Sequence, residues 1–329
     1  MICRYDPGSP CKSEEEWDSR EAMMLPGNSL SRISNILPIQ QRQLFRTVTG
    51  EHFVGLGDYG SPLLGTVTGA NDYFTVSEST RLEYGLVEDV DVYPISPPGT
   101  KHLRGLTFSR SDWERLRKDD EQVWLLHPKD APEDELTDGL RRYLEWGDNL
   151  GVPEAYKCQI REPWWRPPMV TPPDLFFTYM SHRYPRLVTN RAKTSFVNSM
   201  HGVRLKDSAP SAARDALPLL ALNSVTFLGA EVFGRSYGGG ILKMEPREAA
   251  TLPVPKPSVL DAAWAILRPE KASLDRQLKN GLWTGVVARV DEVLLGSVLG
   301  LSHADAASLH DAAKSLRRRR LGRGAVDAE

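Results

Sequence analysis

The spacing of apolar and polar positions changes several times along the chain, and each change predicts an element. From Phe53 to Val76 the apolar residues fall into short β-type runs separated by glycines: HFVGLGDYG, SPLLGTVTG and ANDYFTVSE. SPPG, from Ser96 to Gly99, predicts a turn. Asp112 to Asp120 opens a short helix, and Leu136 to Trp146 gives another. The strip PWWRPPMVTPP, from Pro163 to Pro173, predicts an irregular loop anchored by Trp164 and Trp165. Alternation in PRLVTN and HGVRLK predicts two strands joined by a polar loop. Ser211 to Phe233 reads as helix, with Pro218 tolerable near a first turn only. LPVPKP, from Leu252 to Pro257, reads as a linker. Helical periods follow at Val259 to Leu267, Ala288 to Leu299 and Ala304 to Leu316, and the tail carries Arg317 to Arg320. Met1 to about Arg46 is polar and predicts no element. No internal repeat is visible.

The expected fold class is α+β, with a mixed, β-rich domain followed by a C-terminal helical subdomain. The expected boundaries are a polar lead at 1–46, a domain at 47–255, and helices with a basic tail at 256–329.

Composition narrows the class. Of 329 residues, 40% are hydrophobic and 26% charged, which is globular usage with length for a sizeable core. The three cysteines, Cys3, Cys11 and Cys158, form neither a disulfide scaffold nor a C-x-x-C site. This usage suits a reducing, cytoplasmic setting. The longest apolar stretch, Ala216 to Phe233, contains Pro218, Asn223, Ser224, Thr226 and Glu231, so it reads as a buried helix and not a membrane span.

The net charge of −2 hides an asymmetry: the first 140 residues hold 14 basic and 24 acidic side chains. Ser181 to Lys206, by contrast, holds Arg183, Arg186, Arg191, Lys193, Arg204 and Lys206 with no acid, interleaved with His182, His201, Asn190 and Asn198. Such a run reads either as a solvated surface or as a footprint for phosphates. The absence of acids favours the second, because solvated surfaces mix signs.

Two glycine-rich segments test the obvious cofactor motifs. In GRSYGGGILKMEP, from Gly234 to Pro246, Gly240 stands where a P-loop needs its lysine, and Lys243 replaces the last glycine of G-x-G-x-x-G. Gly55, Gly57 and Gly60 do satisfy G-x-G-x-x-G, and Glu51 mimics the acidic lead-in of an S-adenosylmethionine loop. Ser61-Pro62, Gly65 and Gly69 then interrupt the helix that must follow, so a hairpin is the better expectation. H-E-x-x-H does not occur.

The order TVTGANDYFTVSE, YKCQIREPWW, PPDLFFTYMSHRYPRLVTNRAKTSFVNSMHGVRLK, GRSYGGGILKMEPREAATLPVP and VDEVLL…LRRRRLGR resembles the C-terminal half of gamma-class adenine-N6 DNA methyltransferases of restriction-modification systems. The resemblance covers roughly Gly50 to Arg323. It implies a target-recognition region that clamps duplex DNA against a catalytic domain holding S-adenosylmethionine. The family's Asn/Asp/Ser-Pro-Pro-aromatic motif is not completed: Ser96-Pro97-Pro98 ends in Gly99, and Thr171-Pro172-Pro173 ends in Asp174. On the resemblance, then, no cofactor and no catalytic residue belong to this chain. S-adenosylmethionine is expected in a catalytic methyltransferase partner, or in a domain before Met1, and the chain alone is expected not to methylate.

Within that resemblance the expected DNA contacts are Arg183, Arg186, Arg191, Lys193, Arg204 and Lys206 to phosphates. Asn190, Asn198 and His201 are expected at base edges or sugars. Arg235, Ser236, Tyr237, Gly238, Gly239 and Lys243 form a loop that approaches the backbone. Two alternatives stay open: a complete, divergent methyltransferase with a degenerate cofactor loop at Gly55 to Gly60, and a remnant or protein-binding module.

Overall fold

Successive residues of two fully buried strands face different cores, and this alternation organises the molecule. In the computed structural model, which describes residues 36–130 and 132–326, Leu175–Phe177 and Leu187–Asn190 are buried along their whole length. Leu175, Phe177 and Leu187 join one hydrophobic cluster, while Phe176 and Val188 join a second. Side chains along a strand alternate between faces, so the central strands of this sheet form a wall between two cores. Its order is Gly60–Leu64, His201–Leu205, Leu175–Phe177, Leu187–Asn190, Thr107–Phe108. The last pair runs parallel and the others antiparallel.

The first core is largely helical. It takes apolar residues from Ile39–His52, Ala213–Leu220, Ser224–Phe233, Pro257–Leu267, Lys271–Lys279, Trp283–Asp291 and His303–Val326. The second core lies under a four-stranded sheet ordered Ser195–Phe196, Val92–Ser96, Trp124–Leu126, Thr75–Val76, with the helices Arg110–Lys118 and Asp138–Asn149. Ser109 and Asp112 form a capping box at the first of these helices. Tyr73 and Tyr143 donate their hydroxyls to each other's carbonyls at 2.9 and 2.7 Å. Trp164 completes this aromatic group, 5.9 Å from the Tyr73 ring, and anchors the irregular Pro163–Pro173 strip as expected. The class is α+β.

Several expectations need correction. Leu252–Pro257 is no linker: Pro253–Pro255 is a buried strand paired antiparallel with Phe53–Gly55. Proline lacks an amide donor, which suits this two-stranded ribbon, where each strand has one neighbour. Val254 shares its core with Phe45 on one side of the expected boundaries and with Leu260, Leu294 and Leu309 on the other. The segment expected to be featureless up to Arg46 contains the start of helix Ile39–His52, while residues 1–35 lie outside the described residues.

Ser211–Phe233 is two helices bent by 81°, not one. The break falls at Asn223, whose side-chain oxygen accepts the Thr226 amide at 2.8 Å and caps the second helix. Among the described residues no single helix is long and apolar enough to cross a membrane.

Pro218 sits inside the first helix of that pair, where it cannot donate to the Arg214 carbonyl. The Thr189 hydroxyl, from the central sheet, donates to that carbonyl at 2.8 Å instead. The proline therefore fits only because a strand residue replaces its missing donor. Thr189→Val is expected to lower the unfolding free energy by about 1–2 kcal/mol, read by urea denaturation. Pro218→Ala in the same chain restores a donor and is expected to recover part of the loss.

Candidate nucleic-acid interface

The acid-free segment folds back and forth across the central sheet, so its cations are divided between two ends. Arg204 and Lys206 leave the sheet where His201–Leu205 ends, and Arg191 and Lys193 leave it where Leu187–Asn190 ends. Arg183 and Arg186 lie at the opposite end, where Leu187–Asn190 begins. Four residue steps along a strand separate the two ends by about 13 Å.

At the first end, part of the charge is answered internally. Arg191 pairs with Asp215 at 2.6 Å, and Lys271 shares that carboxylate at 3.0 Å. Arg214 pairs with Asp174, and Arg204 donates to the Thr171 hydroxyl. The Thr171-Pro172-Pro173-Asp174 tetrapeptide thus closes this sheet end: Asp174 also accepts the Leu205 amide at 2.9 Å. Lys193 and Lys206 are exposed, and Lys193 adopts a left-handed φ of +54° at the loop tip.

Two expected base-edge residues are corrected by burial. Asn190 is 6% exposed. Its amide donates to the carbonyls of Pro173 and Thr194 at 3.0 and 2.9 Å, so it shapes the loop that carries Arg191 and Lys193 and reaches no ligand. His201 is 1% exposed, stacked on Tyr179 with ring centroids 3.9 Å apart, and burial holds its imidazole pKa below the usual value. Asn198 is half-buried and accepts from Asn71 at 3.1 Å. Asn190 and His201 read as polar in sequence, but their strand positions point them inward, whereas Asn198 lies in a turn.

The second end carries the triple-glycine segment. Arg235–Tyr237 and Ile241–Lys243 form an antiparallel hairpin, and Met180–Ser181 adds a third strand. Arg235, Ser236, Tyr237, Gly238 and Gly239 are all exposed. Gly239 has a φ of +69°, and a Cβ on Gly238 or Gly239 would meet nothing within 4 Å, so these glycines give a bare tip. Gly240 is different: its Cβ would come within 3.2 Å of the Leu321 backbone. Lys243 pairs with Glu245 at 2.7 Å and lies 5.2 Å from the Tyr237 ring centroid, while Arg235 pairs with Glu248.

The hairpin is held by a residue that the sequence places in a solvated tail. Arg320 is 5% exposed. Its guanidinium donates to both Glu231 oxygens at 3.0 and 2.8 Å, to the Gly240 carbonyl, and to the Arg183 carbonyl at 3.1 Å. Leu309, Ala312, Ala313 and Leu316 form the buried stripe of the same helix, and Arg320 continues it at i+4. That periodicity was the available signal. Arg318 and Arg319 are exposed, and Arg317 lies 5.6 Å from the Tyr184 ring centroid.

Arg186 is also not a surface group. It donates to the carbonyls of Leu103 and Arg104 and lies 4.8 Å over the Trp283 ring, which Arg183 approaches at 5.7 Å. Burial holds its guanidinium pKa down to about 10.

The glycines at 55, 57 and 60 do not form a cofactor cradle, nor a hairpin. Gly55 and Gly60 flank a one-turn helix, Leu56–Tyr59, which contains Gly57 and lies between strands that pair with different partners. A Cβ on Gly55 would lie 2.6 Å from the Ala250 carbonyl oxygen, and on Gly60 2.4 Å from that of Arg204. The space a dinucleotide-type loop leaves for a ligand is filled here by the chain's own backbone, so these residues do not fit S-adenosylmethionine. Ser96, the first residue of the other incomplete tetrapeptide, is fully buried with its hydroxyl 2.7 Å from His102 Nε2.

Residues 31–295 match the family described as the C-terminal domain of the Type II methyltransferase M.Eco57I, and the chain belongs to that family. Type II methyltransferase M.XamI of Xanthomonas campestris pv. amaranthicola is 29% identical over 209 residues, 61% of this chain and 36% of that protein. Type II methyltransferase M.AccI of Acinetobacter calcoaceticus is 23% identical over 201 residues, 60% of this chain and again 36% of that protein. The chain thus spans little more than a third of the length of these curated relatives.

Two tests follow from this geometry. Arg320→Met leaves Glu231 buried without a partner and is expected to cost about 3–5 kcal/mol. Adding Glu231→Gln should return part of it, with cleavage at Gly238–Gly239 under limited proteolysis as the local readout. Burial also holds His102 down to about 4. Below its unfolded value near 6.5 the unfolded chain takes a proton the fold excludes, so stability falls from about pH 6.5 toward 4. His102→Gln should remove up to about 3 kcal/mol of that fall, measured as the difference between denaturation curves across this range.

Proposed function

We propose that this chain is the target-recognition half of an adenine-N6 DNA methyltransferase of the restriction-modification type. It binds double-stranded DNA, and a catalytic half, as a separate subunit or domain, binds S-adenosylmethionine and transfers the methyl group. The observation that carries the reading is the second sheet end. There an exposed hairpin tip without side chains at Gly238 and Gly239 is tied through Arg320 to Arg183 and to the helix that carries Arg317, Arg318 and Arg319. Among the described residues no carboxylate pairs with these arginines. A bare backbone tip approaches a bulky polyanion closely, and cations without internal partners keep their charge for phosphates.

The distribution of charge also ranks the contacts. Arg183 and Arg317 are free to neutralise phosphates, whereas Arg191 gives up its Asp215 pair to do so. Base readout falls to Tyr237, Ser236 and the hairpin tip. Asn190 and His201 act behind the surface as positioning residues.

Binding of labelled duplex across a salt series tests the proposal. With about five phosphates neutralised, log affinity is expected to fall with log salt at a slope of about −4 to −5. Arg183→Gln with Arg317→Gln is expected to flatten the slope by about two units, and Arg191→Gln with Lys193→Gln by about one. A flat response of the unmodified chain, or stoichiometric S-adenosylmethionine binding by it, overturns the assignment.

A further inference from the structure

Beside the interface, the structure holds a cavity of about 370 Å³ lined by Arg104, Arg186, Lys279, Asn280, Gly281 and Trp283. We propose that this cavity is a phosphate-group site, with Arg186 as its floor and Arg104 and Lys279 as its sides. The inference goes beyond the duplex-binding reading, because the site takes the group whether it comes free or from a DNA backbone.

Three features meet there. First, Arg186 is a half-buried guanidinium with no carboxylate partner among the described residues. Its bonds to the carbonyls of Leu103 and Arg104 fix its position and leave its charge unneutralised. A half-buried cation without a counter-ion is costly, and an anion in the adjoining cavity removes that cost.

Second, the balance of charge is one-sided. Arg104 and Lys279 are exposed at the cavity, and Arg183 lies 5.7 Å from the Trp283 ring centroid. The carboxylate in reach is Asp275, which is already held by Lys279 at 2.8 Å and by the Leu106 amide at 2.6 Å.

Third, Asn280, Gly281 and Trp283 bring the start of the nine-residue helix Trp283–Asp291 to the cavity, and no side chain caps that helix. The positive end of that helix dipole meets the negative end of the helix Lys271–Lys279, which stops at Asn280, so the side-chain cations set the sign of the field. The Trp283 face is covered by Arg186, so it is not open for stacking a base. A guanidinium fork and a lysine suit a tetrahedral oxyanion with several acceptors.

Calorimetric titration of the full chain with inorganic phosphate, against chloride at equal ionic strength, tests this. Binding is expected for the unmodified chain, with affinity at least ten-fold weaker in Arg104→Gln with Lys279→Gln, while both keep the same melting temperature in chloride. Asn280→Glu, which places a carboxylate at an exposed position on the cavity, is expected to abolish binding and decides the matter if the double variant does not fold. If free phosphate is silent but these variants flatten the duplex salt slope by about two units, the site serves a DNA phosphate. If they change neither, the proposal is overturned. Failure of the duplex-binding reading is seen separately, as absent DNA binding by the unmodified chain, and leaves the phosphate titration to decide.

Discussion

The guanidinium of Arg320 ties together three parts of the chain that are far apart in sequence. It meets Glu231 in the middle of the helical core, Gly240 at the base of the hairpin, and Arg183 at the turn that begins the basic segment. Both charged side chains are nearly sealed from water, at 4% and 3% exposure. A pair so buried carries a large desolvation cost, which five bonds from one fork to a carboxylate and backbone carbonyls offset. Burial still pushes the Glu231 carboxyl up against the pull of Arg320. The gain from such a pair is positional: it fixes where an otherwise bare hairpin tip stands relative to Arg183.

The central sheet imposes the second constraint. Because its central strands are buried on both faces, their charged side chains can emerge only at the ends. A run of six cations continuous in sequence is therefore cut into two groups about 13 Å apart, and the two groups have different surroundings. One sits among Asp174 and Asp215, where Arg191 is neutralised and Lys193 and Lys206 stay exposed. The other adjoins the hairpin and the Arg-rich helix, where charge accumulates. The functional surface proposed above follows from that division more than from the number of arginines.

The third feature is economy of backbone partners. Pro218 lies inside a helix because Thr189 supplies a donor, and the Pro253–Pro255 ribbon forms with prolines because it has a neighbour on one side. Asn190 and Asp174 together close the sheet end that follows a tetrapeptide resembling a catalytic motif. In each case a residue type that suggests a break or an active site does local hydrogen-bond work.

Much of this was readable from residue order. Period and alternation located the helices at Pro257–Leu267 and His303–Val326, the strands around Leu187–Asn190 and His201–Leu205, and the tryptophan-anchored strip. The block from Gly234 to Pro255 carried the family, because a resemblance depends on local residue order. The lack of acids between Ser181 and Lys206 marked a region of unusual charge. Direction was another matter. Whether Asn190, His201 and Arg320 face solvent or interior depends on which strands and helices cover them, and those partners lie up to 138 residues away. Composition and spacing determined which charged and polar residue types this protein has and where in the chain they fall. Only the packing of distant segments decided which of them are spent inside, because burial and charge pairing are properties of neighbours in space.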